Sequence, residues 1–221
     1  MDSAPLTSAF VQALREAWAG GAGAILPASF FAGAAMLVPF GVGAEPEILA
    51  GIGGGVLWVA LALASLVTME RLYQADLEDG ALDLWAQADV PLAGVALAKT
   101  LAHWLVSGLP LALISPLLGF ALQVPAENVL PAAALYGLGG LAFFLWGGFG
   151  AALSATVRRG GLLIALIALP FYVPTALFGA MALQGEGADR MINLLFLSAT
   201  TLFALAVAPF GAASALRLAV D

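Results

Sequence analysis

The only lysine of the chain ends a stretch that comes close to a nucleotide-binding loop. Residues 93–100 read AGVALAKT, and the phosphate-binding pattern G-x-x-x-x-G-K-T ends in the same lysine and threonine. Both glycine positions of that pattern hold alanine here, Ala93 and Ala98, so the backbone cradle for phosphate groups is missing. Because Lys99 is the sole lysine, no other loop of this kind exists in the sequence. We predict that the chain does not hydrolyse ATP by this route.

The only histidine, His103, lies one helical turn after Lys99 and faces the same way. An ionisable side chain within an apolar segment is a candidate for ligand binding or proton transfer. The alternative is a hydrogen-bonded packing role near the end of that segment, and the sequence leaves both interpretations open. The sequence contains no cysteine, which excludes disulfides, thiolate catalysis and cysteine-bound metals.

No set of residues in the sequence has the pattern of a catalytic site. We find no pair of acids, no Ser/His/Asp set and no metal-binding cluster, so we predict that the chain is not an enzyme. The apolar segments contain no central carboxylate, which proton- or sodium-coupled transporters usually need, and no polar filter of an ion channel. These absences leave a permease energised by a separate chain, an assembly scaffold or a membrane enzyme, and the missing catalytic set argues against the last.

The elements that must position these residues are membrane helices. The chain has 221 residues, of which 62% are apolar and 10% charged, whereas soluble domains are about 45–50% apolar and about 25% charged. About 20 apolar residues cross a bilayer as a helix. We therefore predict an all-α polytopic membrane protein, one domain over residues 1–221, with six spans in the charge-free stretches 17–44, 48–69, 100–126, 128–157, 160–185 and 191–216.

The basic residues predict the orientation of these spans. With both termini in the cytoplasm, only Arg190 falls outside, while the other six lie on the cytoplasmic side or at its membrane edge: Arg15, Arg71, Lys99, Arg158, Arg159 and Arg217. The positive-inside rule therefore favours this arrangement. We expect Lys99 to extend its ammonium group to the headgroups. The net charge of −7 argues against a nucleic-acid partner.

Two further segments have distinctive patterns. Residues 6–18 place Phe10, Leu14 and Trp18 four residues apart, which predicts an amphipathic helix on the membrane surface; an extension of the first span is the alternative. Pro170 and Pro174 interrupt the fifth span. Because proline removes a backbone donor, we expect residues 174–190 to form a broken segment and loop in the outer leaflet.

The longest hydrophilic stretch is the acidic segment, residues 70–90, between the second and third spans. It holds six acids and one base, Arg71. It also carries Tyr73, Leu82 and Trp85, and a short loop should not expose such side chains unless something covers them. A partner protein and the lipid interface are the candidates for that cover, and a merely solvated loop is the alternative.

Several long motifs resemble the CcmB family, haem exporter protein B. They are ERLYQADLEDGALDLW (70–85), LAKTLAHWLVSGLPLALISPLLG (97–119), RRGGLLIALIALPFYVPTALF (158–178), FGVGAEPEILAGIGGGVLWV (40–59) and PFGAASALRL (209–218). The resemblance implies a six-span permease subunit of an ABC complex of cytochrome c maturation, with ABC-2-type exporter architecture, N-in and C-in, in the bacterial inner membrane. It implies a homodimer with the ATP-binding subunit CcmA, the membrane partners CcmC and CcmD, and the haem chaperone CcmE.

The resemblance also gives roles to individual residues. The pattern E-R-L-x-x-x-D-x-x-D-G of the family matches the start of the acidic segment, where the family's cytoplasmic loop couples to the ATPase. The expected coupling residues are Glu70, Arg71, Tyr73, Asp76, Asp79, Gly80, Leu82 and Trp85. His103 and Trp104 match the family's A-H-W, and His103 is a candidate haem ligand. No cofactor is expected in this chain, since ATP would bind the partner and haem would be handled by the complex.

Two alternatives to this function stay open. One is a scaffold that holds the maturation complex together without transport. The other is an ABC permease for a different, lipid-like substrate. Under the permease interpretation, either haem moves across the bilayer or the haem-loaded chaperone is released from a partner subunit. A single histidine and the lack of a central arginine favour release.

Overall fold

The computed structural model of the chain describes residues 4–19, 24–87, 90–157 and 160–220. These residues form α-helices and one π-helical turn, with no β-strand among them. The α-helices are α1 (Ala4–Ala19), α2 (Ile25–Val42), α3 (Pro46–Met69), α4 (Gln74–Glu78), α5 (Ala81–Gln87), α6 (Leu92–His103), α7 (Leu109–Ala121), α8 (Ala126–Ser154), α9 (Gly161–Gln184) and α10 (Gly187–Val220). The π-helical turn, Trp104–Gly108, joins α6 to α7.

Six helical stretches in the described residues are long and apolar enough to cross a membrane. They are Ile25–Val42, Pro46–Glu78, Leu92–Ala121, Ala126–Ser154, Gly161–Gln184 and Gly187–Ala219. Helices suit a bilayer because each pairs its backbone groups internally, where no water is present to satisfy them. The prediction of a polytopic all-α membrane protein with six spans is confirmed.

The break expected in the fifth span is wrong. α9 runs without interruption from Gly161 to Gln184 and contains both Pro170 and Pro174. Residues 174–184 thus belong to this helix, and α10 begins only three positions later, at Gly187. Each proline removes one hydrogen bond, but a helix in lipid has no better way to satisfy its remaining backbone groups. Contacts of α9 with α3, α8 and α10 also stabilise it as one uninterrupted helix.

The centre of the bundle is α8, which packs against α3, α6, α7, α9 and α10. Its neighbours approach closely around Trp58 of α3, whose side chain is fully buried. A Cβ atom at Gly139 of α8 would lie 2.5 Å from the Trp58 ring, and one at Gly179 of α9 would overlap the same ring. The Tyr136 ring packs against this indole in a tilted arrangement, with ring centroids 4.7 Å apart. Glycine is therefore required on both helices that face Trp58.

Two tyrosine hydroxyls satisfy their hydrogen bonds inside this core. The Tyr136 hydroxyl donates to the carbonyl oxygen of Gly54 at 3.1 Å. The Tyr172 hydroxyl donates to the carbonyl oxygen of Phe143 at 2.7 Å and accepts a bond from Ser65. Buried hydroxyls without partners are costly in an apolar medium. These bonds join α3, α8 and α9 across the middle of the bundle.

The first helix packs on the third span. Ala9 and Ala13 of α1 are buried, and α1 contacts α6 along its length. In the stripe predicted for a membrane surface, Phe10 and Leu14 are half-buried and Trp18 is 76% exposed. The helix lies where it was expected over residues 6–18, and its place on the membrane surface stays a prediction.

The contact between Gly179 and Trp58 can be tested by adding a single methyl group. Gly179→Ala should lower the free energy of unfolding by about 1–3 kcal/mol, the usual cost of overpacking. Gly55→Ala is the matched control, because a Cβ there meets nothing within 4 Å, and it should be neutral or raise stability by up to about 1 kcal/mol. Unfolding in mixed detergent micelles measures both. Equal effects of the two substitutions would contradict the close approach at Trp58.

Candidate functional site

The acidic segment forms two short helices at one end of the bundle. After α3 ends at Met69, residues 70–73 make a turn that leads into α4 and α5. Gly80 joins these helices with φ of +73°, a backbone conformation that favours glycine because it lacks a Cβ. The chain therefore folds back on itself at Gly80. Residues 88 and 89 of the predicted segment lie outside the described residues.

The apolar side chains of this segment are covered by the chain itself. Tyr73 is 1% exposed and Leu82 is 2% exposed, and Trp85 is half-buried. They belong to an apolar cluster with residues from five spans, among them Met69, Ala96, Ala151, Ile164 and Leu216. The expectation that Tyr73 and Leu82 need an external cover is wrong, because both side chains point into the bundle and are covered by this cluster.

A buried lysine holds this segment to two other elements. The Nζ atom of Lys99, on α6, lies 2.5 Å from Oδ2 of Asp76 on α4. The same atom donates a hydrogen bond to Oε2 of Glu16 on α1, at 2.9 Å. Lys99 and Asp76 are 3% and 2% exposed, whereas the Glu16 side chain is 40% exposed. We call Glu16, Asp76 and Lys99 the ion-pair triad.

The expectation that Lys99 extends to the headgroups is also wrong. Its ammonium group stays inside the protein, 5.3 Å from the centre of the Trp85 ring, where a cation–π interaction adds to the two ion pairs. A buried charge is tolerated when it is paired and hydrogen-bonded. Asp76 and Glu16 supply that pairing, so the lysine has no need to reach the membrane surface.

The outer face of the acidic segment is strongly charged. Of the predicted coupling residues, Glu70, Arg71 and Asp79 are exposed. Glu78 and Asp83 add to the negative charge of this face. Leu84 is 69% exposed among these acids, and we had not singled it out in the sequence. The exposure of Leu84 is predictable from the sequence once Leu82 is known to be buried, because residues two positions apart lie on opposite sides of a helix.

His103 is the last residue of α6, directly before the π-helical turn. Within the part of the chain that the structure describes, its Nε2 atom is buried without a hydrogen-bond partner, and its ring centroid is 5.9 Å from that of Phe144. Trp104 Nε1 and Ser107 Oγ, in the same turn, are also buried without partners among the described residues. The described part of the chain holds no group of three or more His, Cys, Asp or Glu side chains placed for a metal ion.

The π-helical turn has a local cause. The amide of Leu109 donates to the carbonyl oxygen of Trp104, five residues earlier. Pro110 follows and has no amide hydrogen to donate, which interrupts the regular α-helical pattern beside it. A Cβ at Gly108 would lie 2.6 Å from Trp104 and 2.8 Å from Phe144. Such turns mark sites where the regular helix is locally disturbed, and they are frequent at functional sites.

These features define a polytopic helical membrane protein with a charged segment packed onto one end of its bundle. The chain belongs to the CcmB family, because the family model described as CcmB protein matches residues 5–219. The resemblance seen in its motifs is thereby confirmed.

Relatives from several bacteria match almost the whole chain. The heme exporter protein B of Paracoccus denitrificans is 48% identical over 210 residues, which are 94% of this chain and 96% of the relative. That of Rhodobacter capsulatus is 44% identical over 207 residues, 93% of this chain and 95% of the relative. That of Escherichia coli K12 is 36% identical over 210 residues, again 94% and 96%.

The buried member of the acidic segment should matter most for stability. Asp76→Asn removes one partner of a buried ion pair, and we expect a loss of about 3–5 kcal/mol in the free energy of unfolding. Asp79→Asn makes the same chemical change at an exposed position three residues away and should change stability by less than about 0.5 kcal/mol. Unfolding in detergent micelles measures the difference. A loss of equal size at both positions would show that the ion pair contributes nothing specific.

Proposed function

We propose that this chain is the membrane permease subunit of an ABC-type complex for cytochrome c maturation. Family membership and the relatives named heme exporter protein B support a role as a membrane component of haem export. The observation that carries the proposal is the two-sided acidic segment. Its inner face is packed into the spans through Tyr73, Asp76 and Leu82, while its outer face is charged and free. A force applied outside is thus passed to the membrane helices.

We propose that the energy comes from ATP hydrolysis by a separate ATP-binding subunit, which is CcmA in this family. The stretch AGVALAKT (residues 93–100), which partly matches the phosphate-binding pattern, lies within α6. The ammonium group of Lys99 in this stretch is paired with two carboxylates. A helical backbone offers no amide cradle for phosphates, and a paired lysine has no free charge for them. This arrangement supports a non-catalytic subunit that takes its energy from the partner.

We propose an N-in, C-in topology in the bacterial inner membrane, with ABC-2-type architecture. Arg71, Lys99 and Arg217 lie at the end of the bundle that carries the acidic segment, whereas Arg190 hydrogen-bonds Asn128 at the other end. The positive-inside rule then favours a cytoplasmic acidic segment, on the side of the membrane where ATP is available. Two further basic residues that support this orientation in the sequence, Arg158 and Arg159, lie outside the described residues.

The proposed assembly contains two copies of this chain, two ATPase subunits, CcmC and CcmD, and it acts on haem-loaded CcmE. We favour mechanical release of the haem-loaded chaperone over passage of haem through this subunit. A conduit for haem needs ligands for the iron and cations for the propionates. His103 is the one histidine, and its ring is packed against Phe144, so we assign it a packing role and keep haem ligation as the alternative.

Charge reversal on the outer face tests ATPase docking. Asp79→Lys should abolish co-purification of the ATP-binding subunit with the tagged chain in mild detergent, because it puts a cation into an acidic docking surface. Glu186→Lys is the control, since Glu186 is an exposed acid in the turn between α9 and α10. The control should leave the yield of the ATP-binding subunit unchanged. Full docking of the Asp79→Lys variant would discard the coupling role.

A complex with a catalytically inactive ATPase separates a motor from a scaffold. If the chain transmits ATP-driven motion, c-type cytochrome production should fall to background while the complex still assembles. A scaffold would keep production intact with the inactive ATPase. Co-purification of a haem-handling membrane protein with the tagged chain would in turn argue against a permease for another lipid-like substrate.

A further inference from the structure

Lys99 carries a buried charge to which the proposed coupling to the ATPase assigns no role. It lies on α6, and its two partners come from elements far away in the sequence, Glu16 on α1 and Asp76 on α4. A buried ammonium group is costly, and truncating one partner of such a pair leaves an uncompensated charge. The triad therefore connects three separate elements at one atom.

The triad adds ion pairs to the apolar contacts that hold these elements in place. α4 has only five residues, far fewer than an isolated helix needs to be stable in water. α1 meets α6 through the buried Ala9 and Ala13 and through Leu6. The ion pairs of Lys99 join both elements to α6, and the Trp85 ring of α5 lies against the same ammonium group.

The third span is locally irregular just beyond this connection. Trp104–Gly108 is π-helical, and Trp104 Nε1 and Ser107 Oγ are buried without hydrogen-bond partners among the described residues. A segment with unmade hydrogen bonds has less to lose when it rearranges than a regular helix does. The irregular turn begins five residues after Lys99.

We propose that Lys99 is a positioning residue that makes α1, the acidic segment and α6 move as one unit, and that the third span flexes at Trp104–Gly108. The inference rests on the proposed function, since the ATPase supplies the displacement. Force on the outer face of the acidic segment passes through Asp76 to Lys99 and hence to α6. The part of the span beyond the π-helical turn, α7, then changes its angle to the unit.

Substitution of the pair tests the positioning role. Asp76→Asn combined with Lys99→Gln removes both charges but keeps hydrogen-bonding groups. The double variant should retain ATPase docking, because Glu70, Asp79 and Asp83 are unchanged, and lose c-type cytochrome yield by a factor of roughly 5–150, the range typical of coupling between sites. Lys99→Arg with native Asp76 keeps the positive charge, so its cytochrome yield should be higher than that of the double variant. Full yield from the double variant would overturn the proposal.

Docking and yield together separate the two levels of the argument. If Asp79→Lys fails to weaken docking, the proposed function is wrong. If Asp79→Lys weakens docking but the double variant keeps full yield, only the positioning role of Lys99 is wrong.

A distance measurement on the folded complex makes the test independent of variants that lose the fold. The chain has no cysteine, so spin labels attach within it only at introduced sites. One labelled pair, Val11→Cys with Ala75→Cys, lies within the unit, and the other, Ala75→Cys with Leu117→Cys, spans the π-helical turn; all three positions are exposed. The labelled chains must retain ATPase docking, and a labelled cysteine-free parent measures the background from partner subunits.

Between the nucleotide-free and ATP-bound complexes, the distance between positions 11 and 75 should stay constant. The distance between positions 75 and 117 should shift. A shift within the first pair would show that the triad does not hold the unit together. An unchanged second distance would show that the third span does not flex at Trp104–Gly108, and either result overturns the proposal.

Discussion

The arrangement of the charged end of this protein depends on one buried ammonium group. Lys99 lies inside the protein, so its charge must be balanced there. The two carboxylates that do so belong to α1 and α4, and they can reach Lys99 only if both helices lie against α6. This pairing and the burial of Tyr73 and Leu82 together set the fold of the acidic segment, in which Asp76 faces inward and the neighbouring acids face outward.

The middle of the bundle is held together by different forces. There, glycines on α8 and α9 let both helices approach the Trp58 ring, and tyrosine hydroxyls bond to backbone carbonyls. Close packing replaces charge pairing, as is usual between helices in lipid. The protein thus joins a tightly packed, uncharged core to an end in which ion pairs set the positions of short helices.

This division gives the acidic segment its two faces. Tyr73 and Leu82 attach it to the ends of the spans, and Glu70 and Asp79 remain available to a partner. A segment that was only solvated would have no such attachment, and one covered entirely by the bundle would offer no surface. The permease role proposed for this chain needs both features, since it takes its energy from a separate ATPase.

The sequence by itself determined the class of the fold, the six spans, the family and the position of the acidic segment. Long charge-free stretches allow only helices in lipid, so local composition was sufficient. Only the tertiary structure decided that α9 continues through Pro174, that Tyr73 is buried, and that Lys99 pairs with Glu16 and Asp76. Each of these depends on contacts between residues distant in the chain, and no local pattern encodes which distant side chain will neutralise a charge or cover a ring.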